Sequence, residues 1–420
     1  MSERIHRKWP VLVSVALGGA ALLVVIGIVR SPGEAFRASL SGLQIWWEQV
    51  FPGLVPPLIL AELLAASGLL HAFSSWAEPL TRAFFRLPGA AGWAVAFGWA
   101  AGVPAGAKEA ARLREAGLTR DEDTDTLLLV SHVPNPFLVV VIVGSGFLHA
   151  PALGWAVAAG LWLSAVATGI IWSRVAKSSS GSAEIVPAPS NESRSMPLPR
   201  KMLHAAIEAR KADGRPLGRQ LADAVTNAVA TLMTVGGLMM MTSVILRLLQ
   251  LALPGIDAWL TIPGLYEMHL GAYASGRSPL FETAPAQAAA LLAAVLAWTG
   301  WSGLLQARAA FGTAGTFPWA RLIAGKLLHA ALALAVTFPI AHMMAAADPS
   351  GFSGSPPFLP DSWFASAGVT AAEDPAWAGW RQWLQIWLAG LSSLAVFLFL
   401  ALLAMMIRPK PPQSKPPSDN

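Results

Sequence analysis

The stretch "GWAAGVPAGAKEAARLREAG" at residues 98–117 decides how this chain is read. Its left half completes an apolar run, and its right half is a charged, water-compatible helix. Between them stand Gly102, Pro104 and Gly106, residue types that interrupt helices. The apolar half either crosses a membrane or turns back at the break, and the rest of the chain must say which.

Of the 420 residues, 55% are hydrophobic and only 13% are charged, whereas soluble domains carry about a quarter charged residues. The apolar residues come in blocks, several long enough for the roughly 20 residues that a bilayer requires. These features imply an all-α, polytopic membrane protein with broken or re-entrant helices. The absence of cysteine excludes disulfides, thiolate metal sites and a cysteine nucleophile. A formal charge of +5 is too small and too dispersed to suggest nucleic-acid binding, which is not expected, and it fits the positive-inside rule. Most of the 18 tryptophans flank apolar blocks, where amphipathic rings suit the membrane boundary.

A basic start leads into an apolar run at 11–29, so residues 1–32 are expected to be an N-terminal anchor. The run is long for a cleaved signal sequence. A first half, 33–176, follows. Within it, 33–51 suggests an amphipathic interfacial helix, 53–72 a span, and 74–87 a short amphipathic helix. Next come an apolar half-helix at 89–103, a charged helix at 105–117, a segment at 124–148 broken around "HVPNP", and a span at 151–173. Residues 177–219 combine Ser, Pro and basic residues, the composition of a poorly ordered cytoplasmic linker. A second half, 220–346, holds apolar blocks at 224–251, 286–305 and 320–346. The loop 347–383 is acidic and is expected outside. The last helix, 384–407, then returns a disordered basic tail, 408–420, to the inside.

Counting spans from an inside N-terminus answers the opening question. A complete crossing at 89–104 would place the basic linker outside, and a turn at the Gly-Pro-Gly break keeps it inside. The break is therefore expected at the tip of a re-entrant hairpin beside a polar cavity, because irregular backbone is tolerated at membrane depth only when shielded or wetted. Sliding the chain by 198 residues lays this break on a second one, "AWTGWSGLLQARAAFGTAGT" at 297–316. Gly102 then matches Gly300, Pro104 matches Ser302, and Lys108 matches Gln306. Paired interrupted segments in two halves point to a transporter site. In the second half, charge counting favours a full crossing at 286–305, whereas inverted symmetry favours a re-entrant element there.

The runs "FPGLVPPLILAELLAASGLL" and "EPLTRAFFRLPGAAGWAVAFGWAAGVPAGAKEAARLREAGL" resemble the nucleoside-recognition (Gate) domain of the sporulation integral membrane protein family. In the second half, "DAVTNAVATLMTVGG", "PGLYEMHLG" and "WTGWSGLLQARAAF" are similar to it too. The resemblance covers most of residues 40–345. Its most specific motif, of the type SGYP-GAK, stands here as "AGVPAGAK", with Ala101 and Val103 replacing the family's Ser and Tyr. "HVPNP" stands where the family is rich in Asn, Ser and Gly. The family is distantly related to concentrative nucleoside transporters. The resemblance implies two Gate-like halves and a permease for a small planar anion, dipicolinic acid, in a membrane around the developing spore. A nucleoside transporter and a non-transporting scaffold for spore or envelope assembly are the alternatives.

Several residues are expected to carry function. Glu62 lies mid-span, where an acid lines a cavity or pairs, and is expected to couple or gate. His132 is a candidate titrating group for the same role. Lys108 follows the tip by one turn, so its charge and the helix N-terminus together suit a carboxylate. Gly102, Pro104, Gly106, Asn135, Gly300, Ser302, Gly303 and Gln306 complete the expected substrate site. Glu267 and His269 lack the further ligands that a metal site needs, so no metal or cofactor is expected. With no nucleotide or metal motif, an enzyme is not expected either. The expected partners are a small-molecule substrate and membrane lipid, and a homo-oligomer is left open.

Overall fold

The computed structural model describes residues 2–177, 197–255, 261–312 and 317–347. Among them the chain is built from helices without a strand. Five segments are long and apolar enough to cross a membrane: Pro32–Ala66, Pro151–Val175, Leu217–Ala252, Pro285–Ala310 and Trp319–Met344. Large apolar side chains such as Leu23, Val29, Trp155 and Leu163 are exposed, as lipid contact requires. The chain is an all-α polytopic membrane protein. The expected linker segment 178–196, the outward loop from 348, the last span 384–407 and the tail 408–420 lie outside the described residues.

Helix α1 (Ser2–Arg30) is followed directly by α2 (Pro32–Ala66). The expected interfacial helix at 33–51 and separate span at 53–72 are thus one continuous helix. Pro52, Pro56 and Pro57 suggest a break, but a π-helical stretch at Trp46–Val50 precedes them. Its wider turns, as in the Phe51 N–H to Trp46 carbonyl bond, absorb the distortion that prolines impose. The helix ends at Ala66, because Gly68 takes a left-handed conformation (φ +84°) and a Cβ there would lie 2.2 Å from the Ala206 carbonyl oxygen. Helix α3 (Leu69–Phe85) then runs to the hairpin of α4 (Ala91–Ala101) and α5 (Ala105–Glu115).

Helix α6 (Thr124–Ser131) and the π-helical α7 (Phe137–Phe147) flank the expected break at "HVPNP". Helix α8 (Pro151–Lys177) closes the first half. Part of the expected linker is ordered instead: α9 (Leu198–Asp213) packs against α3. It begins after Pro197 and stops at left-handed Gly214, the usual pattern of helix ends. Helix α10 (Leu217–Ala252) leads to α11 (Met268–Gly276). Helices α12 (Pro285–Trp298), α13 (Gly300–Ala310) and α14 (Trp319–Ala347) complete the described fold.

The two halves do not form separate cores. One apolar cluster joins Leu54, Val139 and Leu161 of the first half to Met239, Leu292 and Ala333 of the second. The other joins Ala94, Ala110 and Leu128 to Leu304 and Leu322. Whatever happens at the breaks is therefore felt by both halves.

Candidate functional site

Helices α4 and α5 fold back on each other along their length, so the Gly-Pro-Gly break is the tip of a hairpin. Small residues allow this. A Cβ on Gly106 would lie 2.0 Å from the Ser131 carbonyl oxygen, and one on Gly98 would lie 2.1 Å from the same atom. Gly102 has φ +80° and ψ −152°, a region that side chains scarcely enter. Pro104 caps α5.

The segment 132–136 is the node of the site. In a continuous helix the Val130 and His132 carbonyls would accept from residues 134 and 136, but both are prolines without an N–H. In a lipid-facing interior an unmet carbonyl costs several kcal/mol. Side chains from other helices meet these. Trp99 Nε1 donates to the Val130 carbonyl at 2.7 Å, and Lys326 Nζ donates to the His132 carbonyl at 2.6 Å. Trp162 Nε1 reaches the Pro134 carbonyl at 3.3 Å. Asn135 serves both sides of the gap: its Nδ2 donates to the Ala101 carbonyl at 3.0 Å, and its Oδ1 accepts from the Leu138 N–H at 2.8 Å.

The second break converges on the same node. Thr299 and Gly300 both have positive φ (66° and 71°), and a Cβ on Gly300 would strike the Tyr266 carbonyl oxygen at 2.7 Å. His132 Nε2 lies 3.0 Å from the Gly303 carbonyl oxygen, and α13 packs on α5. Ser302 Oγ and Gln306 Oε1 are buried atoms without a hydrogen-bond partner among the described residues. The register shared with the first copy is therefore spatial as well. The hairpin is not repeated, since α12 and α13 scarcely touch and together make one broken stretch, Pro285–Ala310, long enough to cross.

Beside the node is a cavity of ≈ 10 Å³, room for roughly one water. Ala101 and Val103 of the tip, Asn135, Thr231 of α10, and Met268 and His269 of α11 line it. His269 Nδ1 lies 2.7 Å from Glu267 Oε1, with both residues buried, while Glu267 Oε2 accepts from the Leu270 N–H at 2.7 Å. An ionised carboxylate only accepts, so Nδ1–H donates and Nε2 is the ring's remaining functional atom. This pair caps a helix and fixes a tautomer at the cavity wall. No group of three or more potential metal ligands occurs among the described residues.

Glu62 and Lys108 sit apart from the node. Glu62, half-buried on α2, bonds Asn227 and shares its surroundings with Lys108, Glu109 and Arg112. Lys108 is exposed and reaches Thr231 Oγ1 at 3.3 Å. Glu109 is buried, accepts from Trp93 Nε1 at 2.8 Å and pairs with Arg112. Two acids thus balance two bases, so Lys108 does not stand as an uncompensated positive charge. Sequence reasoning missed another basic residue. Lys326 is fully buried, and among the described residues no ion pair holds it. His329, three residues on along the same helix, is fully buried too, its Nε2 3.1 Å from the Leu161 carbonyl oxygen. The available signal was "KLLH" within an otherwise uncharged stretch of α14.

Comparison with known proteins gives a relative. The chain is similar to a sporulation integral membrane protein. That protein, sporulation integral membrane protein YlbJ of Bacillus subtilis (strain 168), is 37% identical over 229 residues, 54% of this chain and 55% of that protein. The chain thus spans about half the length of the curated relative it matches. No family model matches, and no solved structure matches.

Proposed function

We propose that the protein is a transporter or permease for a small anionic metabolite, with its path at the node where the broken helices meet. The observation that carries this reading is the convergence of both helix breaks on residues 132–136, beside a cavity lined from both halves. Broken helices at paired positions expose backbone dipoles and polar side chains to a solute, whereas a scaffold has no use for them. The cavity beside the node is too small for an aromatic dicarboxylate, so transport requires its walls to part at this point. Gly102, Pro104, Gly106 and Asn135, with Gly300, Ser302, Gly303 and Gln306, would form the polar wall, with Lys108 at its edge and Glu62 as a coupling group. The resemblance to the Gate domains and the similarity to a sporulation protein support dipicolinate as the solute. They also support a membrane around the forespore as the site, while the basic residues of the linker and tail support both termini in the cytoplasm.

Reconstitution into liposomes tests the reading. Saturable uptake of labelled dipicolinate, exceeding that of labelled uridine, is the expected result. Preference for uridine would make the protein a nucleoside transporter. Uptake of neither, with protein shown to be folded, would leave the scaffold reading.

A further inference from the structure

We propose that Lys326, His132 and His329 together form a binding site for one exchangeable proton within the membrane. All three are fully buried, and they come from two helical segments that belong to different halves of the chain. Lys326 donates to the His132 carbonyl. Each histidine places Nε2 on a backbone carbonyl, Gly303 for His132 and Leu161 for His329. A carbonyl only accepts, so both Nε2 atoms carry hydrogen and both Nδ1 atoms present a lone pair. Those two Nδ1 atoms are buried and have no hydrogen-bond partner among the described residues. They are vacant seats for a proton.

The surroundings limit the site to a single charge. Helices α6, α8 and α12 pack against α14. From α6 come His132 at its end and Asp125. The Asp125 carboxylate is already engaged by Arg321 Nε at 2.6 Å, Trp172 Nε1 at 2.9 Å and the Thr126 N–H at 2.8 Å. From α8 comes Arg174, which is exposed and bound to the Phe84 and Ile170 carbonyls. Helix α12 contributes no charged residue. Besides Lys326 and His329, α14 carries Arg321 and His342, the latter stacked on Phe338. Among the described residues, no acid on the helices packed against α14 is left to balance the cluster, and two positive charges in so dry a place repel strongly. One proton can be held, and a second is refused.

Each exchange forms one N–H bond as an O–H bond of hydronium breaks and leaves water, and involves no other covalent change. A hydronium from whichever side is open gives its proton to a ring Nδ1 or to the Lys326 amine, and release to water on the other side reverses this. A neutral amine still donates to the His132 carbonyl, so the helix break survives both states. The site deepens the transport reading by naming the coupling ion, and it rests on that reading for coupling alone.

Two measurements on the full chain in lipid nanodiscs or liposomes test it. With lysine Nζ labelled by ¹⁵N, the resonance that Lys326→Met removes should pass between amine and ammonium positions in one step. His329→Gln should displace that step. A resonance fixed at the ammonium position throughout the pH range of the folded protein would overturn the site, whatever the protein transports. In liposomes, an imposed proton gradient should drive dipicolinate accumulation by the unaltered chain. Lys326→Met should abolish that dependence and Lys326→Arg should not restore it, while His329→Gln, which keeps the Lys326 bond to the His132 carbonyl, should weaken the dependence and spare dipicolinate counterflow. Gradient-driven accumulation unchanged in Lys326→Met would overturn the coupling role. If Lys326→Met does not fold, His329→Gln carries the same comparison. If the unaltered chain moves no dipicolinate, the transport reading fails, and the resonance alone decides the proton site.

Discussion

Single atoms carry unusual weight in this molecule. The Ser131 carbonyl oxygen is closed in by Gly98 and Gly106, so Gly106→Ala must push the α4–α5 hairpin away from α6. Overpacking against backbone should cost about 1–3 kcal/mol, read as a fall in thermal midpoint in detergent. Gly237→Ala is the matched comparison. Nothing lies within 4 Å of its added Cβ, and alanine favours the helix by up to about 1 kcal/mol, so its midpoint should hold or rise. A decrease equal to that of Gly106→Ala would show that any glycine change on these helices is harmful and remove the crowding argument. Glu62→Gln keeps shape and removes charge from a balanced group of four. The protein should still fold, and the pH response of dipicolinate uptake should change. An unaltered response would make Glu62 a structural residue.

Among elements, the attachment of α9 to α3 lends itself to test. Lys201 and Arg82 both pair with Glu78. Burial alone would raise the Glu78 carboxyl, yet these cations hold it below the usual carboxylate range. Its contribution is therefore complete above the ordinary carboxylate value and is lost as pH falls through the lowered one. Amide exchange in 198–213 should accelerate on that acid side, and Glu78→Gln should show the faster exchange already at neutral pH. Equal exchange in both proteins at neutral pH would mean that the Gly68–Ala206 contact alone retains the helix. The elements also show what a sequence discloses. The breaks at Gly102, at Pro134 and Pro136, and at Gly300 were legible, because glycine and proline act on their own backbone. The continuity of α2 was not, since three prolines suggest interruption and the π-stretch that absorbs them has no composition of its own. Helix α9 was hidden by its basic charge, although Pro197 and Gly214 bracket it. Lys326 was missed for a different reason. Its partner is a backbone carbonyl 194 residues away, and a carbonyl leaves no mark in a sequence.

For the whole molecule, orientation is the first expectation to check. The chain has no cysteine, so a single cysteine at exposed Glu208 on α9 reports without background. In intact cells it should resist a membrane-impermeant thiol reagent and react after lysis. Reaction in intact cells would invert the orientation. Motion at the node can be followed without any label. Trp99 and Trp162, which hold carbonyls on either side of His132, are nearly parallel, with ring centres 6.5 Å apart and planes 14° from each other. Two indoles in that arrangement absorb ultraviolet light as a coupled pair and should give circular dichroism of paired opposite sign, absent in Trp99→Phe. If the α4–α5 hairpin parts from α8 at the node, the rings separate and the couplet fades. The break would then announce its own opening in the spectrum of the unmodified protein.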